Sequence, residues 1–296
     1  ARAALLDTAG AELLTLGGQP DRVLAVAFTP DDGVVTGGAD GAVRVFGAGG
    51  RLLATARGGP SPVVDVDAAR GIVAAVALDG VLRIWTADGL ELGTAGGAPE
   101  QASDGSTDAF DRVRVLRGGV AVAAAARASG ALLVCAPDGT PRVRLDGLGE
   151  AVERFAVTSR GDALLVPSVT GEVWRVGIDG EVTLLHAHGA AVQWVAVAGT
   201  GPAGADWASG ALDGSVRVTR AGRVVSLEHG APVHRVALAR DAVRVVTVGA
   251  DRVARLWDAE GAAVASLGGP ADPVTGALLS ADGGAYVAAL RDWVAK

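Results

Sequence analysis

One stretch of the sequence decides the fold: Val23-Leu24-Ala25-Val26-Ala27-Phe28-Thr29-Pro30-Asp31, then Val34-Val35-Thr36-Gly37-Gly38-Ala39-Asp40-Gly41, then Val43-Arg44-Val45-Phe46. It consists of short apolar runs separated by Gly, Pro and Asp. Runs of this kind predict β-strands, because a helix would need a longer stretch with a period near 3.6. The Asp-Gly pair supplies the positive φ angles that tight hairpins require.

The same pattern returns along the whole chain. A valine opens each copy, and the intervals between these valines are 40, 50, 39, 40, 41 and 41 residues. The opening valines are Val23, Val63, Val113, Val152, Val192, Val233 and Val274. Four short strands per copy predict an all-β fold, a seven-bladed β-propeller of four-stranded antiparallel blades. A single blade cannot bury both of its faces, so neighbouring blades must stack.

The two ends of the chain complement each other. The seventh copy ends where its third strand should begin, and the N-terminal segment aligns with residues 255–269. We therefore expect the N-terminal strands to complete the last blade and close the ring, which removes exposed sheet edges. Because the chain begins inside a blade, we also expect it to be part of a larger protein.

The predicted organisation is a single domain, residues 1–296. Its expected parts are 1–18 (completing blade 7), about 19–57 (blade 1), 58–96 (blade 2), 97–147 (blade 3, with an insertion at 97–111), 148–187 (blade 4), 188–228 (blade 5), 229–269 (blade 6) and 270–296 (the start of blade 7). The insertion is polar and acidic. We expect a surface loop there, with a partner-docking segment as the alternative.

Composition narrows the class of protein. Half of the 296 residues are hydrophobic, yet no apolar run approaches the roughly 18 residues of a membrane-spanning helix. The formal net charge is −7, which argues against nucleic acid as a partner. A single cysteine, Cys135, excludes an internal disulfide and a Cys-rich zinc site. We predict no cofactor and no metal.

Three residue types are rare or missing. Met and Asn are absent and Lys occurs once. Their codons are AT-rich, so the pattern favours a GC-rich bacterial genome, with avoidance of thermolabile side chains as the competing explanation. No segment has the zones of a signal peptide, and we therefore expect a cytoplasmic location.

The segment Gly249-Ala250-Asp251-Arg252-Val253-Ala254-Arg255-Leu256-Trp257-Asp258 resembles the signature of WD-repeat propellers. In that family a His before the first strand, a Ser or Thr in the second, an Asp in the next turn and a Trp in the third form a buried hydrogen-bond network. The resemblance implies this network in the sixth copy, at His229, Thr247, Asp251 and Trp257. It implies partial networks in the fifth, first and second copies, at His188, Ser209, Asp213, Asp40 and Asp79.

The other copies depart from the family pattern. Thr219 stands at the Trp position of the fifth copy, and Cys135 and Val176 stand there in the third and fourth. His186 precedes His188 by two residues, a spacing that suits a pair of metal ligands, but no third ligand is visible.

Asp65 and Asp67 alternate on one predicted strand. A calcium or acid–base site would need partners that the sequence does not show. We expect a solvated pair at the rim.

Propellers usually bind through one face, formed by the loops that enter the first strands and the turns before each Asp. Arg and Trp are enriched at binding hot spots. The predicted partner-binding residues on this face are Arg22, Arg112, Trp194, Arg235 and Arg291.

We therefore predict a non-catalytic WD-repeat-like protein-interaction or sensor module, the regulatory or recruiting domain of a larger bacterial protein. The expected partner is a protein or peptide, domains of a parent chain included, without nucleic-acid binding or membrane insertion. One alternative is a propeller enzyme, a hydrolase or lyase, with a site at the channel mouth. The other is a passive structural scaffold. No catalytic residue is predicted.

Overall fold

The computed structural model describes residues 3–6, 12–96, 109–198, 206–239, 243–268, 274–279 and 286–290. The chain divides into two compact units. Unit 1 comprises residues 1–153 and 178–180, and unit 2 comprises 154–177 and 181–296. Within the described residues the regular elements are β-strands and two short 3-10 turns, Arg117–Gly119 and Glu150–Arg154. No helix in this part of the chain is long and apolar enough to cross a membrane.

Unit 1 contains a strand pair and three four-stranded sheets. The pair is β1 (Ala3–Leu6) with β2 (Glu12–Leu16). Sheet 1 is β3 (Val23–Phe28), β4 (Val34–Gly38), β5 (Ala42–Phe46) and β6 (Leu52–Arg57); sheet 2 is β7 (Val63–Ala69), β8 (Ile72–Ala77), β9 (Val81–Thr86) and β10 (Glu91–Gly96); sheet 3 is β11 (Arg112–Leu116), β12 (Ala121–Ala126), β13 (Ala131–Cys135) and β14 (Pro141–Leu145).

Unit 2 repeats the arrangement and ends on a pair. Sheet 4 is β15 (Ala156–Val157), β16 (Ala163–Pro167), β17 (Glu172–Gly177) and β18 (Val182–Ala187); sheet 5 is β19 (Val192–Val197), β20 (Trp207–Ala211), β21 (Ser215–Arg220) and β22 (Arg223–Glu228); sheet 6 is β23 (Val233–Leu238), β24 (Val245–Gly249), β25 (Val253–Trp257) and β26 (Ala263–Gly268); the pair is β27 (Val274–Leu279) with β28 (Tyr286–Leu290).

Every sheet is an antiparallel meander in which strands pair in chain order. The predicted all-β fold of four-stranded blades is thereby confirmed. The fourth copy differs locally, because its opening valine, Val152, lies in the second 3-10 turn and the first strand β15 has only two residues. Val152 is nonetheless fully buried. It therefore packs in the core like the other opening valines, although its backbone is a 3-10 turn and not a strand.

The opening valine of one sheet packs closely against the second strand of the sheet before it. In unit 1, a Cβ at Gly37 would lie 2.5 Å from Cγ1 of Val63. In unit 2, a Cβ at Gly210 would lie 2.5 Å from Cγ1 of Val233. No side chain fits at either position, so glycine permits this close approach.

Small residues form the core between sheets 2 and 3. Alanines of β8 and β12 pack with Leu82, Ile84 and Leu133, and Phe110 joins the same cluster. Phe110 belongs to the end of the predicted insertion, where we expected only a polar loop. Its backbone N–H donates to the carbonyl of Gly80, and its side chain is buried in the core. Residues 97–108 lie outside the described residues.

The N-terminal pair packs on sheet 1. Leu16 of β2 clusters with Val34 and Phe46. In unit 2, Leu227 of β22 occupies the corresponding position against Val245 and Trp257 of the next sheet. The pair β1–β2 therefore stands where the last two strands of a preceding blade would stand. That these strands complete the blade of β27 and β28 stays a prediction.

We expect Leu16→Ala to lower the free energy of unfolding by about 2–4 kcal/mol, because it opens a cavity against Phe46. Leu16 is only 3% exposed. Leu13→Ala is the matched control: its side chain is 61% exposed, and we expect a change below about 0.5 kcal/mol. Denaturant unfolding measures both. Equal effects of the two substitutions would contradict the packing of β2 on sheet 1.

Candidate functional site

Several first strands contain a β-bulge directly after the opening valine. In β3, β7, β19 and β23 the pairing register shifts between this valine and the residue two positions later. A bulge leaves one residue unpaired and re-aims the side chains around it. The residues that follow the shift are Ala25, Asp65, Trp194 and Arg235.

Two of the predicted partner-binding residues meet at these bulges. The guanidinium carbon of Arg235 lies 4.7 Å from the ring centroid of Trp194. Arg235 is exposed and Trp194 is half-buried. A cation over an indole at an exposed site stabilises by about 0.5–1 kcal/mol, which orders the guanidinium without neutralising it.

A second cation lies on the neighbouring element. Arg154, at the end of the second 3-10 turn, donates from Nη1 to Oε1 of Gln193 at 2.7 Å and to the Gln193 carbonyl at 3.3 Å. Gln193 is the bulge residue of β19, next to Trp194. We call Arg154, Gln193, Trp194 and Arg235 the bulge cluster; all four belong to unit 2.

The remaining predicted binding residues lie elsewhere. Arg22 is exposed in the turn before β3, and its carbonyl accepts a bond from the Ala39 N–H at 2.8 Å. Arg112 begins β11 and is half-buried. Both belong to unit 1. Arg291 lies outside the described residues. Of the five residues, the structure thus brings two together.

Asp65 and Asp67 are half-buried and bridge two sheets, where we expected a solvated pair. Asp65 accepts the Val113 N–H at 3.0 Å, and Asp67 accepts the Val115 N–H at 2.8 Å. Asp65 also pairs with Arg114 at 3.0 Å. Burial raises the pKa of Asp67, although the Val115 N–H opposes the shift. The sequence pattern could not show that the unpaired edge of β11 supplies donors to these carboxylates.

Sheet 6 contains the hydrogen-bond network implied for its repeat. Thr247 Oγ1 accepts a bond from Trp257 Nε1 at 2.8 Å and lies 2.7 Å from His229 Nδ1. His229 Nε2 lies 3.2 Å from Asp251, and Arg255 donates to the same carboxylate at 2.7 Å. Burial lowers the pKa of His229, and its Nε2 also lies 2.5 Å from Nη1 of Arg255.

Sheet 5 builds a related network from different residues. His188 lies with Nε2 2.8 Å from Ser209 Oγ and with Nδ1 2.6 Å from Ser215 Oγ. Ser215 donates to Asp213 at 2.6 Å, so it accepts from Nδ1–H of His188. Nε2 of His188 then accepts the Ser209 hydroxyl proton.

His186 completes the sheet 5 network, which the sequence did not reveal. Its Nε2 lies 2.8 Å from Ser209 Oγ, and its ring stacks on Trp207 with centroids 4.5 Å apart. Because Ser209 donates to His188, it accepts from Nε2–H of His186. His186 thus provides the bond that the Trp257 indole makes in sheet 6. The one sequence signal for this role of His186 is Thr219, which stands where the family has a Trp.

The two histidines of the sheet 5 network stay neutral near pH 7. Burial, reinforced by the neighbouring His188 and by Arg217, lowers the pKa of His186 to about 4. Burial, reinforced by Arg217, also lowers the pKa of His188 to about 4. The network requires a neutral His188, because its Nδ1–H donates to Ser215 while its Nε2 accepts from Ser209.

Sheets 1 and 2 contain parts of the network. In sheet 1, Gln19 replaces the His and donates to Thr36 at 2.9 Å, while Arg44 pairs with Asp40 at 2.5 Å and holds its pKa below the usual range. In sheet 2, Arg83 pairs with Asp79 of the turn at 2.7 Å.

The third sheet is apolar at the position of the family Trp. Cys135 lies there fully buried, and burial raises the pKa of its thiol to about 12. Such a thiol is a packing residue, because reactive cysteines need an exposed, electropositive setting.

The networks offer no reactive group to a substrate. The Ser209–His188–Asp213 order resembles a nucleophile with its base, but Ser209 is fully buried and donates its proton inward. Among the described residues, no group of three or more His, Cys, Asp or Glu could hold a metal ion. The sheet 5 network also joins two sheets, because His186 lies on β18 of sheet 4 and contacts Ser209 of sheet 5. The bulge cluster differs from these networks, because its Arg235 is exposed.

The arrangement of sheets matches solved β-propellers. The computationally designed protein Ika8 superposes with a TM-score of 0.67 at 22% identity, over 96% of this chain and 85% of that one. Sqt1 of Chaetomium thermophilum, solved bound to the N-terminus of the ribosomal protein L10, superposes with a TM-score of 0.64 at 19% identity, over 97% and 86%. The chain therefore has a β-propeller fold.

The repeat type follows from the sequence comparison. Residues 10–47 match the family described as WD domain, G-beta repeat. No curated protein matches the chain. This match confirms the resemblance to WD repeats for residues 10–47, one repeat of the β-propeller. The matched repeat starts at β2 and runs through β5, so it joins a strand of the N-terminal pair to the first three strands of sheet 1.

Thr219→Val is expected to raise the free energy of unfolding by about 1 kcal/mol, because the buried Thr219 hydroxyl has no hydrogen-bond partner in the described part of the chain. Thr247→Val makes the same chemical change in sheet 6, where the hydroxyl serves His229 and Trp257, and should cost about 1–3 kcal/mol. Denaturant titrations compare the two. A loss of stability in T219V would show that its hydroxyl has a partner.

Stability should fall as the pH drops from about 6.5 to about 4. In this window the unfolded histidines bind protons and the folded His186 and His188 do not, so protons favour the unfolded state. The loss approaches about 3 kcal/mol per ring. Denaturant unfolding at several pH values measures it. His186→Gln should flatten the profile and His234→Gln, at an exposed position, should not; identical profiles for the two variants would contradict the assignment.

Proposed function

We propose that this chain is a non-catalytic interaction module that binds an acidic protein segment through the bulge cluster. The observation that carries the proposal is the exposed Arg235 guanidinium held over Trp194 at 4.7 Å. A guanidinium in this position is already ordered before binding. Its side chain therefore loses less conformational entropy when a partner carboxylate binds. Its two parallel N–H donors suit a carboxylate.

The remainder of the cluster supports a segment longer than one residue. Arg154 donates from Nη1 to Gln193, and it lies on the element next to the bulge of β19. Trp194 supplies a half-buried aromatic surface beside these two cations. Arg and Trp together form the residue combination enriched at binding hot spots.

Similar structures support a peptide partner. WD-repeat propellers are typically protein-interaction modules, and Sqt1 of Chaetomium thermophilum was solved bound to the N-terminus of a ribosomal protein. We extend this mode of binding, a protein segment on a propeller, to the present chain. Its role as a sensor, as the regulatory or recruiting domain of a larger bacterial protein, and its cytoplasmic location remain predictions from the sequence.

The experiment is a peptide array of acidic and neutral segments probed with the purified chain, followed by affinity measurements on the peptides retained. Arg235→Glu should weaken acidic peptides at least about tenfold, or about 1.4 kcal/mol, because it replaces the recognising cation by a repelling carboxylate.

Arg223→Glu is the matched control, because it makes the same charge change at an exposed position on the outer strand β22. We expect it to leave these affinities unchanged. Equal losses of affinity in both variants would show that binding depends on net charge alone and not on Arg235. If the wild-type chain retained no peptide, the proposed function would be refuted.

A further inference from the structure

A cavity of about 310 Å³ opens in unit 1, between sheets 1 and 2. Its walls include Phe46 and Leu53 of sheet 1 and Ala68 and Ile72 of sheet 2. The turn between β3 and β4 and the turn between β7 and β8 form its mouth. We call this cavity the turn pocket. It lies at the other ends of the first strands from the bulges, so it is separate from the bulge cluster.

The turn pocket exists because one residue is small. Ala68 lies five residues after the opening valine of sheet 2 and pairs with Val73 of the next strand. The residue in the same register of sheet 6 is Leu238, which pairs with Val245 and packs against the preceding sheet beside Val225. Where sheet 6 fills the space with its own leucine, sheet 2 leaves it open.

Two charged residues stand at the mouth. Arg70 is exposed in the turn between β7 and β8, at a left-handed φ of 40°. Its Cδ lies 2.8 Å from the position of a Cβ on Gly118, so its stem rests on the 3-10 turn that follows β11. In the part of the chain that the structure describes, its guanidinium has no hydrogen bond or ion pair. Asp31 lies on the opposite turn and is also exposed.

We propose that the turn pocket binds a leucine side chain of a partner peptide, with a carboxylate of the next residue on Arg70. The apolar walls and the shape left by the absent leucine select the aliphatic side chain. Arg70 provides a carboxylate with two parallel donors, and Asp31 repels a carboxylate placed on the other side, which fixes the direction of the peptide.

The experiment is a titration of the whole chain, followed by NMR of its methyl groups, with three capped dipeptides: acetyl-Leu-Glu-amide, acetyl-Ala-Glu-amide and acetyl-Leu-Lys-amide. Acetyl-Leu-Glu-amide at a few millimolar should shift the methyl signals of Leu53, Ile72 and Val73. The alanine peptide should leave them in place, and the lysine peptide should bind several-fold more weakly.

Three variants test the assignment. Ala68→Leu, the residue that sheet 6 uses, should fill the pocket and abolish the shifts while thermal unfolding shows a folded protein. Arg70→Gln should bring acetyl-Leu-Glu-amide down to the affinity of acetyl-Leu-Lys-amide. Leu238→Ala, which makes the reverse change in sheet 6, should leave the shifts of Ile72 unchanged.

Absence of shifts at Ile72 and Leu53, equal binding of the alanine peptide, or full binding by A68L would each overturn the proposal. Equal affinity of the glutamate and lysine peptides for the wild-type chain would remove the role of Arg70 and reduce the site to a purely apolar cavity. Arg235→Glu should not change any of these titrations, so a failure here is distinct from a failure of the bulge cluster.

Discussion

The structure depends on one packing constraint: a four-stranded sheet has two apolar faces, and it must cover each with another sheet. The contact that satisfies it is between the opening valine of one sheet and the second strand of its predecessor. Val63 approaches Gly37, and Val233 approaches Gly210, so closely that no side chain fits at either glycine. In these two places the contact holds the first strand, β7 or β23, against the preceding sheet. The bulge before Arg235 comes directly after this valine in β23.

Once the sheets are stacked, the buried polar networks are free to vary. Sheet 6 joins Trp257, Thr247, His229 and Asp251, whereas sheet 5 reaches its aspartate through two histidines and an added serine. Sheet 3 is apolar throughout the corresponding core, with Cys135 at the Trp position. The polar atoms that remain buried still find partners almost everywhere, because an orphaned donor costs more than a bond contributes. The networks are therefore interchangeable ways to join strands within one architecture.

Equivalent positions in different sheets also carry different side chains, and this creates functional differences between the sheets. Sheet 6 closes the space after its first strand with Leu238, and sheet 2 leaves it open at Ala68, with Arg70 beside the opening. At the other ends of the first strands, the residue that follows the bulge is alanine in sheet 1, aspartate in sheet 2, tryptophan in sheet 5 and arginine in sheet 6. Side chains of different size and charge occupy this position in the four sheets, so it can carry recognition.

The sequence by itself determined the repeat, the strand class, the turn positions and the networks at His188 and His229, because these depend on local periodicity and on residues at fixed spacings. Only the tertiary structure decided which distant residues meet. His186 replaces an indole, Asp65 and Asp67 bond the backbone of β11, Phe110 enters the core, and Arg235 lies over Trp194 while Arg22 and Arg112 do not join them. Such contacts join sheets some 40 residues apart, and they follow from how neighbouring sheets pack and not from any pattern within one repeat.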